Sequence, residues 1–153
     1  FTNKRPVLSV SSNLQLYPSD SGAIIYFNTS IGSTNIITLP DSGNADTIGS
    51  VFTFFVLDSV ASTKKITFTD TANEKFVGKI SMIRSGLADD TLLLGQVLSL
   101  ESTATNKYAI TFDGTQRGTT GSFITICAVE ADRWIILDGT IYTSGGLTSP
   151  FGT

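Results

Sequence analysis

The residues best placed to do chemistry are carboxylates. Asp89-Asp90 and Asp41 with Asp46 are the close pairs, and two carboxylates flanking a bond are what glycoside hydrolysis requires. Both pairs stand in turn-like sequence, where aspartate bonds its own backbone, so turn formation accounts for them and no catalytic residue is assigned. Asp41, Asn44 and Asp46 offer the oxygen ligands that calcium takes, but their spacing does not match a calcium-binding helix-loop-helix, and no metal site is assigned. The chain has no histidine, which removes the commonest general base and the commonest transition-metal ligand together. Ser-His-Asp and Cys-His arrangements are therefore impossible. No glycine-rich phosphate loop is present, so no nucleotide cofactor is expected. The single cysteine, Cys127, lies within the apolar run Phe123 to Val129 and reads as a buried core thiol. The chain is read as a non-enzyme.

Binding chemistry is little better represented. Trp134 and Tyr142 could form an aromatic platform for a sugar ring, yet Trp134 lies between Arg133 and an aliphatic run and reads as a core or interface anchor. Asn28-Thr29-Ser30 fits the N-glycosylation sequon, whose meaning depends on the host; in a bacterial virus it is simply a turn. Lys4-Arg5 and Lys64-Lys65 are pairs rather than clusters in a chain of net charge −3, so no nucleic-acid partner is expected. No stretch has the length of a membrane-spanning helix, and none reads as a signal peptide. The sequence opens on Phe1 rather than Met, which points to processing or trimming upstream.

The elements that must position these residues are strands. Helical periodicity is nearly absent, while short runs of Val, Ile, Phe, Tyr and Thr recur between clusters of Gly, Ser, Asn and Asp. Strands are predicted near residues 14–16, 23–27, 35–39, 51–57, 65–69, 76–82, 96–100, 107–112, 123–129, 134–137 and 140–142. Turn signals such as Asp20-Ser21-Gly22 and Asp41-Ser42-Gly43-Asn44 recur about every ten residues. This pattern predicts an all-β fold: an antiparallel β-sandwich or a Greek-key or jelly-roll-like barrel. Ser85 to Leu94 is either a short helix or a long loop. No fixed-period repeat is evident. Residues 1–12 and 144–153 read as arms around a single β domain spanning 13–143.

Three strands break the usual alternation. Val51 to Leu57, Phe123 to Val129 and Arg133 to Leu137 are apolar on both faces, so one face meets the core and the other must meet a second layer or a subunit. Composition agrees, since only 15% of the residues are charged and the mean hydropathy is above zero. Such a surface is expected where part of it is covered by copies of the chain or by a partner. The residues expected to make those contacts are Phe52, Phe54, Phe55 and Trp134, with Lys4 and Arg5 of the basic N-terminal arm.

A succession of phrases adds a resemblance. They run Asp20-Ser21-Gly22, Ile36 to Pro40, Gly49 to Phe54, Lys65 to Phe68, Phe76 to Ile80, Gly121 to Ile126 and Arg133-Trp134-Ile135. In this order they resemble capsid decoration (cement) proteins of tailed bacteriophages and the related head- or tail-fibre modules. The resemblance implies a homotrimer on the outer capsid surface of a virion that binds the major capsid protein or other virion proteins without catalysis. Its alternative is a fibre or spike module that recognises host-surface carbohydrate.

Overall fold

The computed structural model describes residues 4–28, 34–58, 62–69, 73–84, 97–101, 108–114, 116–144 and 148–152, with 97–101 entering through backbone pairing alone. Asp89-Asp90, the segment 85–94 and Thr29-Ser30 of the sequon lie outside the described residues.

The fold is all-β and its strands form two mixed sheets. The first half of the chain alternates between them. β1 (Val7–Ser9), β3 (Ile24–Phe27) and β5 (Val51–Val56) enter the first sheet, and β2 (Leu14–Gln15), β4 (Asn35–Leu39) and β6 (Lys64–Phe68) enter the second. Each strand lies parallel to the one two elements earlier, as in the stacked turns of a flattened coil. A parallel pair needs a crossover, and here the opposite sheet supplies it in place of a helix. The offset between paired residues is 17 from Val7 to Ile24, 23 from Leu14 to Ile37, and 29 both from Ile24 to Thr53 and from Asn35 to Lys64. These unequal steps explain why no fixed period shows in the sequence.

The second half is mainly antiparallel. β11 (Phe123–Glu130) pairs with β5, and β12 (Arg133–Thr143) pairs with β11 across a tight turn at Asp132, whose φ is 64°. β10 (Ala109–Phe112) joins β6, and β13 (Phe151–Gly152) joins β10. β7 (Lys75–Val77) and β8 (Lys79–Arg84) both run parallel to β12, and β9 (Val97–Glu101) returns antiparallel to β8. Among the described residues six pairings are parallel and five antiparallel. The antiparallel expectation is thus corrected to a mixed arrangement. Its physical reason is that the early turns pass the chain to the other sheet instead of returning it as a hairpin. Pro18–Asp20, where the Asp20 carboxylate accepts from Tyr17 N at 2.9 Å, carries β2 over to β3. Ala45–Thr47, capped by Asn44, carries β4 over to β5. Both ends read as arms from the sequence contribute strands, β1 beside β3 and β13 beside β10.

One core lies between the sheets. Ile25, Phe27, Phe52, Phe54, Ile124, Ile126 and Trp134 face it from the first sheet; Ile37, Leu39, Ile66, Phe68, Ile110 and Phe112 face it from the second. Phe52 stacks on Trp134 at 5.9 Å between ring centroids, and Phe27 tilts against Phe112 at 5.5 Å across the two sheets. Aromatics of this size each remove more apolar area from water than an aliphatic neighbour does.

Close approach at one loop depends on a glycine. Gly118 has φ 103°, and a Cβ there meets Phe112 Cδ1 at 2.5 Å, whereas Gly49, at φ 89°, has open space around it. Gly118→Ala is expected to cost about 3 kcal/mol, the sum of left-handed strain and overpacking, and Gly49→Ala only about 1–2 kcal/mol. Urea unfolding of the two variants checks the difference.

Candidate assembly face

The three strands with apolar residues on both faces become direct neighbours. β5, β11 and β12 lie side by side in the first sheet, with β3 on the far side of β5. Alternation along a strand sends Phe52, Phe54 and Val56 into the core and turns Val51, Thr53 and Phe55 outward. On β11 the outward residues are Phe123, Thr125 and Cys127, each half-buried.

Strand register aligns them into rows. One runs Tyr26, Phe55, Phe123, Thr140; the next runs Ile24, Thr53, Thr125, Asp138; a third runs Val51, Cys127, Ile135. A bulge between Thr125 and Ile126 shifts the register, and Leu137 at that break is 53% exposed. The outward residues of β3, β5 and β11 in these rows carry no charge. Thr53 Oγ1 and Thr125 Oγ1 lie 3.1 Å apart and satisfy each other. The centre of the face is thus aromatic, aliphatic and neutral.

Charge reaches the face at Arg5 and Asp138. Arg5 lies against the face, its Nε donating to Gly22 O at 2.8 Å and its guanidinium to Thr53 Oγ1 at 3.4 Å. Asp138, exposed at the other end of the same row, accepts from Gly139 N at 2.8 Å through one oxygen. Lys4 is exposed.

The predicted contact residues therefore divide. Phe55 and Arg5 are on the outer face, but Phe52, Phe54 and Trp134 are 0% exposed and have no surface left for a partner. Their assignment as contacts is corrected to core packing, because each points inward where Phe55 points outward. Tyr26, Phe123 and Ile24 belong to the face and were not singled out. Their signal was strand phase, which Ile24-Ile25-Tyr26-Phe27 conceals by being apolar at every position. Cys127 is likewise corrected from core to face; its surroundings still push the thiol pKa up by desolvation.

The other candidate chemistry resolves into structure. Asp41 accepts from Gly43 N at 2.7 Å and Asn44 from Asp46 N at 3.2 Å, so these side chains hold their own turn. Among the described residues no group of three His, Cys, Asp or Glu could hold a metal ion. A groove of about 370 Å³ beside β2 is lined by Asn13, Leu14, Gln15, Ile36 and Thr38. Its polar side chains are engaged by backbone, Asn13 accepting from Ile36 N and Gln15 donating to Leu16 O and Thr38 O.

Two buried polar groups brace the frame. Glu74, 2% exposed, accepts through Oε1 from Ser42 N at 2.7 Å, Ser42 Oγ at 2.6 Å and Trp134 Nε1 at 3.3 Å, while Oε2 is buried without a hydrogen-bond partner. It ties the loop after β4 to the strand that carries Trp134. Lys64, fully buried, donates to Asn35 Oδ1 at 2.7 Å and Ser62 Oγ at 2.9 Å, and burial pushes its ammonium below the ordinary lysine range.

No protein-family model, curated protein or solved structure matches the chain.

Two stability predictions follow from the braces. Glu74→Ala leaves three donors without an acceptor and should cost about 3 kcal/mol, against about 1 kcal/mol for Ser42→Ala, as read from urea midpoints. For Lys64 the folded chain releases its proton at a lower pH than the unfolded chain does. Between those two values the unfolded state binds more protons, so stability rises with pH. As pH rises towards the ordinary lysine value of 10.5, the parent should gain stability relative to Lys64→Gln.

Proposed function

We propose that this chain is a non-catalytic structural module of a virus particle, a capsid decoration protein of the kind its strand phrases resemble. The observation that carries the reading is the neutral apolar face on the first sheet, centred on Phe55 and Phe123. A face of this composition loses little by leaving water and gains by being covered, which suits assembly rather than turnover. In form the module is a two-sheet sandwich whose broad side is its working surface.

Such a protein acts by linkage. If it binds the assembled shell and not free capsid subunits, it stabilises the shell by mass action, with about 2.7 kcal/mol per site at a concentration a hundred times the Kd. Several sites engaged together raise the effective affinity further. The fibre reading, which would rest on Tyr17, Tyr142 and Trp134 as exposed aromatics, has thinner support: Tyr17 is exposed, but Trp134 lies in the core.

Shells stripped of this protein should bind it in a co-sedimentation assay and melt at a higher temperature afterwards. Phe55→Glu, which sets a charge in the middle of the face, should weaken that binding at least about tenfold while leaving the far-UV spectrum intact. Absence of both binding and thermal shift for the parent contradicts the proposal.

A further inference from the structure

The two charges on the face are arranged for self-recognition. The row Ile24, Thr53, Thr125, Asp138 crosses four strands, with the Arg5 guanidinium over its β3–β5 end and the Asp138 carboxylate at its β12 end. Neither residue has an ion-pair partner among the described residues; the pairs there are Arg117 with Asp113 and Arg133 with Glu130. A two-fold axis along the strands, between β5 and β11, exchanges the two ends of the row. It lays positive on negative twice and Phe55 on Phe123 at the centre.

Size fits the same occupant. Four strands at about 4.8 Å and six residues at about 3.3 Å give a flat footprint of roughly 400 Å². That lies within the range of the largest patches left bare on monomers. The exposed Val7 of β1 and Leu137 add to it, giving a footprint below the roughly 800 Å² per partner of a standard interface and in keeping with a concentration-dependent pairing. Two sheets packed face to face stand about 10 Å apart, a gap that an arginine and an aspartate reaching from opposite sides can span.

We propose that the outer face of the first sheet closes on the same face of a second copy of this chain, in a two-fold pair where Arg5 of each subunit meets the partner subunit's Asp138. The inference rests on the reading of that face as an assembly surface. It replaces the trimer that the sequence resemblance implies with an isologous dimer. With that face buried in the pair, another surface of each subunit meets the shell, and pairing raises shell affinity because the second attachment becomes intramolecular.

The test is the solution mass of the full chain by light scattering from about 1 to 100 µM. The parent should approach twice 16.3 kDa. Arg5→Asp and Asp138→Arg should each weaken the pairing at least about tenfold, and the double variant should restore it. Thr125→Lys, at the axis, gives an independent variant expected to be monomeric, with melting curves reporting that each protein is folded. A folded monomer throughout, a mass of three chains, or a dimer indifferent to both reversals overturns the pairing. A monomer that still binds stripped shells through Phe55 overturns the pairing and leaves the structural reading standing; loss of shell binding by the parent overturns that reading instead.

Discussion

A protein of two sheets has one interior, and its central strands have two apolar faces. That mismatch governs the rest of the molecule. β5, β11 and β12 can bury Phe52, Phe54, Ile124, Ile126 and Trp134 against the second sheet, but Phe55, Phe123, Cys127 and Ile135 stay only half-buried on the outer side. Placing these strands together concentrates the uncovered residues into one neutral surface. Scattered over separate strands, the same residues would be ordinary exposed apolar groups with no consequence.

The two halves of the fold serve this arrangement differently. The coiled half builds both sheets in step, so that β1, β3 and β5 rise over β2, β4 and β6 and supply the inner partners of the aromatic core. The antiparallel half then lays β11 beside β5 and β12 beside β11, completing the face. Glu74 and Lys64 brace the places where the chain leaves one sheet for the other. Glu74 draws Ser42 and Trp134 together, and Lys64 joins Asn35 at the paired starts of β4 and β6. Each brace removes a polar group from water and offsets part of that cost with hydrogen bonds, Glu74 through one oxygen only, which favours one geometry over a looser collapse.

Much of this was legible before the structure. β4 coincides with its predicted span, and β3, β5, β6 and β11 agree to within a residue at each end, because bounded runs of β-branched and aromatic residues mark strands wherever they pair. The double-faced character of β5, β11 and β12 was legible too, and it located the face. Pairing was not. A turn such as Asp41 to Asn44 has the same local chemistry whether it folds the chain back on itself or carries it to the other sheet. Strand phase was legible for Ile66 and Phe68, flanked by lysine and threonine, but not where every position is apolar, which is why Phe52, Phe54 and Trp134 were expected outside and Cys127 inside. β1 and β13, three and two residues long, are strands only because a neighbour is there to pair with them.

The proposed assembly covers the outer face of the first sheet. Cys127 lies in that face, half-exposed in the single chain and flanked in register by Val51 and Ile135, and it is the chain's one cysteine. Its alkylation rate, followed by mass spectrometry at fixed alkaline pH across a hundredfold range of protein concentration, reads the coverage directly. With the face covered, labelling should slow several-fold as concentration rises and recover on dilution. A rate independent of concentration, equal to that of the Thr125→Lys variant, contradicts it.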